Sequence, residues 1–199
     1  MDNKEMKILY ICALPEERVE MALPGFEVVP SLTGISKPYA SANLALAISN
    51  VKPDIIINIG TAGTMPGRAE VGDILVCSRF LDRDIMSQDF TSISPEVNPE
   101  LPDVARAFHS IHFGTACEKH FTVNTGDDFV TADQPIEGDA VDMEAFAEAL
   151  MAKQFGIPFF AVKYITDVIG QNSMQIWEER LADARRGLAE YLKAVAEKL

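Results

Sequence analysis

Short apolar runs that alternate with helical stretches are the feature that most constrains the fold of this chain. The runs at residues 54–60, DIIINIG, and 157–166, IPFFAVKYIT, are apolar at nearly every position, as in strands buried on both faces of a sheet. Similar runs lie at 7–14, 72–80, 110–117 and 120–126, and helical periodicity lies at 39–51, 143–156 and 173–199. The alternation predicts an α/β fold: a single three-layer domain over 1–199, with a largely parallel or mixed central sheet flanked by helices.

Charge and composition exclude several classes of partner. The chain has a formal net charge of −13, which repels phosphate backbones and anionic lipids. We therefore expect no nucleic acid and no membrane partner. The opening MDNKEMKILYICALPEE lacks the features of a secretory signal, so we expect a cytoplasmic protein. The three cysteines and three histidines lack ligand or disulfide spacing, so we expect no bound metal.

Carboxylates, small residues and an aromatic residue follow several of the apolar runs. Glu17 follows the first run, 61–63 follow DIIINIG, Phe129 and Val130 follow HFTVNTG, and Asp167 follows the last. In open α/β sheets, ligands bind in the crevice beyond the carboxyl ends of the strands. The sequence therefore predicts that these residues converge on one cleft.

Each of these groups also has a purely structural interpretation. Glu16 and Glu17 could be the exposed first turn of a helix. The sequence GTAG at 60–63 could be a tight strand-to-helix turn, and it lacks the full dinucleotide-binding glycine pattern. Asp127 and Asp128 could simply favour a turn.

Two carboxylates in apolar surroundings are harder to explain structurally. Glu144 stands at the start of an otherwise apolar helix, and Asp167 ends an apolar strand. A buried carboxylate needs a partner, a shifted pKa or a chemical role. The positions favour a functional interpretation of this pair.

Longer motifs resemble a known family. DIIINIGTAG, VGDILV, TGDDFV, VDMEAFAEALMAKQFGIPFFAVKYITDV and the opening MKILYICALPEE resemble the nucleoside phosphorylase/nucleosidase superfamily, most closely its 5′-methylthioadenosine/S-adenosylhomocysteine nucleosidase branch. The resemblance runs with gaps from Met6 to Leu199, and the pair VDMEA and ITDV is its most specific part. It implies hydrolysis of the N-glycosidic bond of a purine (adenine) nucleoside, with release of the free base and without a cofactor.

The same resemblance implies roles for individual residues. Asp167 would be the general acid that protonates N7 of the leaving purine, and Glu17 would activate the attacking water. Glu144 and Met143 would hold the ribose. The remaining residues would line the water and base sites: Thr61, Ala62 and Gly63 near the water, Phe129 and Trp177 beside the base, and Val130 reading the base edge through its backbone.

The expected reaction is hydrolysis and not phosphorolysis. A phosphorylase needs fixed cationic donors for phosphate, and Ile59 stands where the superfamily's phosphorylases carry an arginine. Glu16 and Glu17 would repel phosphate, although Arg18 lies close by in the sequence. The alternatives are a phosphate-dependent purine nucleoside phosphorylase, a futalosine-type hydrolase, and a noncatalytic nucleoside-binding protein of the same fold.

The chain also departs from the family's pattern. A gap falls between Glu20 and Ser31, where a strand hairpin is expected, and the loop at 86–102 is trimmed. Lys163 replaces an arginine and Ser36 a glycine. Because relatives dimerise, we expect a homodimer in which Ile85, Met86 or Phe90 approaches the partner's cleft, with a 5′ pocket more open than usual.

Overall fold

A computed structural model of the chain describes residues 5–86, 94–111, 120–132, 136–171 and 173–199. The strands are β1 (Met6–Cys12), β2 (Phe26–Leu32), β3 (Ile55–Thr64), β4 (Ile74–Asp82), β5 (Glu96–Val97), β6 (Phe121–Thr125), β7 (Ala140–Asp142) and β8 (Phe159–Val168). The helices are α1 (Lys37–Val51), α2 (Arg83–Met86), α3 (Ala105–His109), α4 (Ala145–Phe155) and α5 (Ser173–Ala196), with a 3₁₀ turn at Pro15–Glu17.

The strands form one mixed eight-stranded sheet. Its order is β2-β1-β3-β7-β6-β4-β5, and β8 pairs with both β3 and β4, so that five strands close into a ring. β1, β2, β3 and β8 run parallel to one another, whereas β4, β6 and β7 run in the opposite direction. The two sets pair antiparallel where Gly63 lies opposite Val141 and along β4 and β8. The pairing at Gly63 places β7 beside the carboxyl ends of β3 and β8.

Helices cover both faces of the sheet, which confirms the predicted three-layer α/β architecture. α3 and α5 pack on one core, through Phe108, Leu188 and Tyr191 among others. α1 and α4 pack on the other core, through Leu44 and Phe146. Among the described residues, no helix is both long enough and apolar enough to cross a bilayer.

Helix α4 has a different buried face from the one its apolar periodicity predicts. The expected inward set was Met143, Phe146, Ala147, Leu150 and Met151. Leu150 is instead 38% exposed, while Glu148 is fully buried. The helix is turned this way because the Glu148 carboxylate accepts hydrogen bonds from Thr33 Oγ1 and Asn58 Nδ2.

Three further expectations differ from the structure. GTAG is not a turn, because residues 60–63 lie inside β3. The segment between Glu20 and Ser31 contains most of β2, a single edge strand parallel to β1, which was not predicted because Pro30 and its partly exposed neighbours obscure a strand pattern. The expected strand at 110–117 falls almost entirely outside the described residues.

Candidate active site

A cavity of about 310 Å³ lies where the carboxyl ends of β3, β7 and β8 meet. All the residues that the sequence predicted for the site line it. They are Glu17, Thr61, Ala62, Gly63, Phe129, Val130, Met143, Glu144, Asp167 and Trp177. The structure therefore brings the predicted residues together, while the roles assigned to them remain predictions.

Glu17 is held firmly on the cavity wall. It is 6% exposed, whereas its neighbour Glu16 is exposed. Its Oε1 accepts hydrogen bonds from the Thr61 backbone N–H at 2.9 Å and from Thr61 Oγ1 at 2.6 Å, and its Oε2 accepts one from the Leu14 N–H at 3.3 Å. The interpretation as a solvated helix turn therefore fits Glu16 and fails for Glu17.

Asp167 enters the cavity through an irregularity in β8. The pairing with β3 advances from Ala62 opposite Ile165 to Gly63 opposite Asp167, so Thr166 is an extra residue in the strand. Such a bulge redirects the side chain that follows it. Thr166 Oγ1 then donates a hydrogen bond to Asp167 Oδ1 at 2.8 Å, and Asp167 is 3% exposed.

The two glycines of GTAG make room for these two carboxylates. A Cβ atom at Gly60 would lie 3.3 Å from Glu17 Oε1, and one at Gly63 would lie 3.1 Å from Asp167 Oδ2. Both distances are tighter than ordinary van der Waals contact. The sequence pattern is thus explained by close approach of side chains to the β3 backbone, not by turn geometry.

Glu144 lies immediately before α4, with its carboxylate on the cavity. The Ser36 backbone N–H donates a hydrogen bond to Glu144 Oε1 at 2.9 Å. Burial and the neighbouring Asp142 carboxylate raise the pKa of Glu144 above its usual range, while Lys163 and the Ser36 hydrogen bond act in the opposite direction. The protonation of Glu144 therefore depends on charges beneath the cavity floor.

A buried charge cluster supplies those charges. Lys163 Nζ lies 2.9 Å from Asp142 Oδ2, and both side chains are at most 3% exposed. Burial alone would lower the pKa of Lys163, but Asp142, Glu148 and Glu144 together raise it above its usual value. The lysine is therefore charged, and it faces several carboxylates at once.

The carboxylates of this cluster are also held by hydrogen bonds. Asp142 accepts hydrogen bonds from Thr125 Oγ1 at 2.6 Å and from the Ala145 N–H at 3.1 Å, so it caps the start of α4. Glu148 accepts from Thr33 Oγ1 at 2.8 Å and from Asn58 Nδ2 at 2.7 Å. Burial raises the pKa of Glu148 to about 7, against the opposing effects of Lys163 and Thr33.

Two aromatic side chains also line the cavity. The rings of Phe129 and Trp177 meet edge to face with centroids 6.2 Å apart. Trp177 Nε1 donates a hydrogen bond to Thr61 Oγ1 at 2.9 Å, and the same hydroxyl donates to Glu17. The aromatic pair and the Glu17 carboxylate are therefore connected through one threonine.

Sequence reasoning missed six apolar lining residues, which are Ala13, Leu14, Ile35, Val141, Ile169 and Met174. Ile35 and Met174 border the cavity and are 44% and 50% exposed. Ile35 follows β2, so its place could not be read while β2 itself was unrecognised. Met174 lies in the first turn of α5, seven residues after Asp167. Its closeness in sequence to the last predicted strand was the one clue to its position.

Comparisons with known proteins agree with this fold and site. The family model described as "Phosphorylase superfamily" matches residues 10–197. A 5′-methylthioadenosine/S-adenosylhomocysteine nucleosidase of Marinomonas sp. (strain MWYL1) is 30% identical over 174 residues, covering 79% of this chain and 75% of that protein.

Solved structures share the fold at lower identity. The Helicobacter pylori 5′-methylthioadenosine/S-adenosylhomocysteine nucleosidase bound to butyl-thio-DADMe-Immucillin-A has a TM-score of 0.81 at 18% identity, with 99% of this chain and 100% of that chain covered. Futalosine hydrolase of the same organism has a TM-score of 0.80 at 17% identity, covering 98% and 99%. The match to the family model spans almost the whole chain, and the resemblance found in the sequence is confirmed: the chain belongs to the phosphorylase superfamily.

Proposed function

We propose that the protein hydrolyses the N-glycosidic bond of an adenine nucleoside that carries a 5′-thio substituent, and so releases the free base. The observation that carries this proposal is the placement of Glu17 and Asp167 against the two glycines of one β3 segment, with Glu144 on the same cavity. These three carboxylates match an acid, a base and a sugar-binding group. The nucleosidase that is 30% identical supports the same activity.

Asp167 is the general acid in this proposal. Adenine leaves poorly as an anion, so protonation of N7 lowers the barrier to cleavage. Thr166 Oγ1 lies 2.8 Å from Asp167 Oδ1, which fixes the orientation of the carboxyl group. The step requires a neutral acid that is shielded from bulk water, and Asp167 is 3% exposed.

Glu17 activates the water. Two donors from Thr61 fix its Oε1, so the carboxylate can orient a water without itself rotating. Positioning of this kind supplies much of a catalytic advantage because the reacting groups need no further ordering. The water would attack the sugar from the side away from the base.

Glu144 binds the sugar hydroxyls, and Met143 packs beside it. A carboxylate near the sugar also stabilises the positive charge that develops on the ring in an oxocarbenium-like transition state. The Ser36 N–H fixes one oxygen of Glu144. The carboxylate is therefore oriented before substrate arrives.

The lining of the cavity favours hydrolysis over phosphorolysis. Among the described residues that line it there is no lysine or arginine, whereas six are acidic: Glu17, Asp128, Asp142, Glu144, Asp167 and Glu178. Phosphate needs cationic or backbone donors fixed beneath the sugar. An anion entering this cavity would meet carboxylates.

The 5′ substituent is placed at the exposed apolar rim. Ile35 and Met174 border that side of the cavity, and their side chains suit a thioether better than a charged group. A futalosine-type nucleoside is the second candidate, supported by the equal structural likeness to futalosine hydrolase. Its different 5′ group makes the two substrates separable by assay.

A homodimer would complete the rim. Exposed apolar side chains cluster on α1 and just before it, with Tyr39 67%, Leu46 64% and Ile35 44% exposed. Met86, one of the residues expected near a partner's cleft, is 40% exposed, while Phe90 lies outside the described residues. Light scattering at micromolar concentration tests this, and a fully active monomer would contradict a shared site.

One assay separates the candidate functions. The protein is incubated with 5′-methylthioadenosine, S-adenosylhomocysteine or futalosine, with and without phosphate, and the free base is measured. Base release in both conditions is the expected result. Release only with phosphate would identify a phosphorylase, cleavage of futalosine alone would identify the second candidate, and binding without release would identify a noncatalytic nucleoside-binding protein.

A further inference from the structure

We infer that Arg83 is a positioning residue that fixes the base loop, defined as residues 126–130, against which the leaving purine binds. The inference rests on the proposed function for the identity of that ligand. Arg83 does not line the cavity. It acts through Asp128, which precedes Phe129 and Val130 in the loop.

Within the described part of the chain, the Arg83 guanidinium donates hydrogen bonds to the base loop and to Asn124, two residues before it. Nη1 donates to the carbonyl oxygen and to Oδ1 of Asn124, both at 3.3 Å. Nη2 donates to the carbonyl oxygen of Asp128 at 3.0 Å and to its Oδ1 at 2.7 Å. A planar guanidinium with these four acceptors fixes the orientation of the loop as well as its distance.

Gly126 allows the guanidinium to lie directly on the loop backbone. A Cβ atom at this position would lie 2.6 Å from Arg83 Cζ and Nη2 and 2.8 Å from Nε. Real Cβ atoms essentially never approach so closely. Any residue other than glycine would therefore push the Arg83 side chain away from the base loop while leaving its charge in place.

A second set of contacts holds the beginning of the same loop. The Lys37 N–H donates to Asp127 Oδ1 at 2.8 Å, and the Asp127 N–H donates to Asp84 Oδ2 at 3.0 Å. Lys37 Nζ also lies 2.7 Å from Asp84 Oδ2. These contacts fix Asp127, whereas Arg83 fixes Asp128, the residue next to the base-binding side chains.

A displacement of the base loop would also move other residues that line the cavity. Phe129 packs on Trp177, and Trp177 donates a hydrogen bond to Thr61, which in turn donates to Glu17. Trp177 is the only tryptophan in the chain. Its fluorescence therefore reports the position of the loop even when no ligand is present.

The arrangement is better suited to positioning than to stabilising the fold. The Arg83 side chain is 12% exposed, but its partner Asp128 is 62% exposed, and an ion pair with one solvated partner contributes little to folding. Loss of Arg83 should leave the protein folded. The loop would then have to be ordered by the ligand itself, at a cost in affinity.

The experiment compares four variants of the full-length protein. Arg83→Met removes the contacts, Gly126→Ala displaces the guanidinium, and the double variant does both. Arg79→Met is the matched control, because Arg79 lies on the adjoining strand β4 and makes two ion pairs, with Glu96 and Glu137, that do not touch the loop. The affinity for adenine is measured by calorimetry, and the emission of Trp177 is recorded without ligand.

We expect Arg83→Met and Gly126→Ala each to weaken adenine binding about tenfold and to shift Trp177 emission to longer wavelength. The double variant should be no worse than either single one, since both remove the same interaction. Arg79→Met should behave as the wild type. Gly126→Ala keeps the arginine and tests the idea even if Arg83→Met folds poorly.

Unchanged adenine affinity and unchanged emission in both single variants would overturn the inference, and so would an equal loss in Arg79→Met. Additive losses in the double variant would also overturn it, because they would mean two separate effects. A wild type that binds adenine but cleaves no nucleoside would refute the proposed function and leave the role of Arg83 standing. A wild type that binds no purine would overturn both.

Discussion

The two sides of the cavity are held in place by different means. On the base side, Arg83 and Lys37 hold the base loop through Asp128 and Asp84, which are 62% and 45% exposed, while Lys37 also pairs with Asp82, which is 5% exposed. On the ribose side, the cluster of Lys163, Asp142 and Glu148 lies beneath Glu144 and is almost fully buried. The base loop is held by ion pairs whose acidic partners are partly exposed, whereas the ribose side is held by charged groups that are almost fully buried.

Because of this difference, the two sides should respond differently to salt, to mutation and to pH. A solvated ion pair adds little stability and is screened by salt. A buried cluster is stable only while every charge in it has a partner, because an unpaired buried charge is costly. The base side should therefore respond to salt with small effects, and the ribose side should respond to mutation and pH with large ones.

The largest effect should come from Asp167, which belongs to neither support. Asp167→Asn removes the acid without changing its size, so we expect kcat to fall about 10²–10⁴-fold, the usual contribution of a general acid. Adenine binding and the thermal midpoint should stay near wild type. Steady-state kinetics and calorimetry measure this. Retention of normal turnover in a folded variant would remove Asp167 from the mechanism and leave only the two supports.

The next largest effect should come from Lys163. Lys163→Met leaves Asp142 buried without its cation, which should lower the free energy of unfolding by about 3–5 kcal/mol. Arg83→Met should lower it by at most about 1 kcal/mol. Urea denaturation of both variants tests the comparison directly.

A second change shows whether charge is the cause of that loss. Adding Glu148→Gln to Lys163→Met removes one carboxylate from the cluster, so part of the lost stability should return. Equal losses in the Lys163 and Arg83 single variants would show that the two sides do not differ. No recovery in the double variant would point to packing and not to charge.

Glu148 should make stability depend on pH. Its pKa in the folded protein is raised to about 7, whereas in the unfolded chain it is about 4.3. Between these values the folded state holds a proton that the unfolded state has released, so stability falls as pH rises through the window. At pH below about 4 both states are protonated and this penalty is absent.

Glu148→Gln should remove the Glu148 contribution to this pH dependence and leave that of Glu144, whose pKa is also raised. We expect the wild type to lose roughly 1–3 kcal/mol more than the variant between pH 5 and 8, measured by urea denaturation at several pH values. The amide is also a suitable substitute, because Asn58 Oδ1 has no hydrogen-bond partner within the described part of the chain and can accept from it once the Asn58 amide turns. Parallel pH profiles would contradict the assignment.

The smallest effect should be that of salt on the base side. Raising NaCl from about 0.05 M to about 1 M shortens the screening length to about 3 Å, so the pair of Arg83 and Asp128 should weaken. Adenine is uncharged, and we expect its affinity to fall by at most about threefold. The dependence should disappear in Arg83→Met. Calorimetry at the two salt concentrations decides this, and an unchanged salt response in that variant would show that other charges are responsible.

The parts of the site that sequence predicted were those with a local anomaly. Glu144 and Asp167 stood out because a carboxylate in an apolar context needs an explanation, and both line the cavity. The alternation of apolar runs also predicted the α/β layers. These features depend on neighbours in the chain, which a single sequence displays.

The parts it could not predict depend on pairings distant in the chain. Lys163 was noticed only as a departure from a family pattern, because its partner Asp142 is 21 positions away on β7 and only the fold brings the two side chains together. Glu148 was not singled out either, because its partners Thr33 and Asn58 are 115 and 90 positions away. Nothing in the sequence indicated a role for Arg83, since only the fold shows that the Gly126 backbone lies against its side chain.

The spacing of Gly60 and Gly63 also has a stereochemical consequence. A β-strand advances about 3.3 Å per residue, so the backbone sites that accommodate Glu17 and Asp167 are about 10 Å apart and cannot move closer without breaking β3. Glycosidases that invert configuration keep their two carboxyl groups at a comparable separation, which leaves room for a water opposite the departing group. With the proposed roles, Glu17 and Asp167 act from two separate positions along β3, so water would add to the anomeric carbon from the face opposite adenine. The sugar product would therefore first appear as the α-anomer, and no covalent sugar-enzyme intermediate would form.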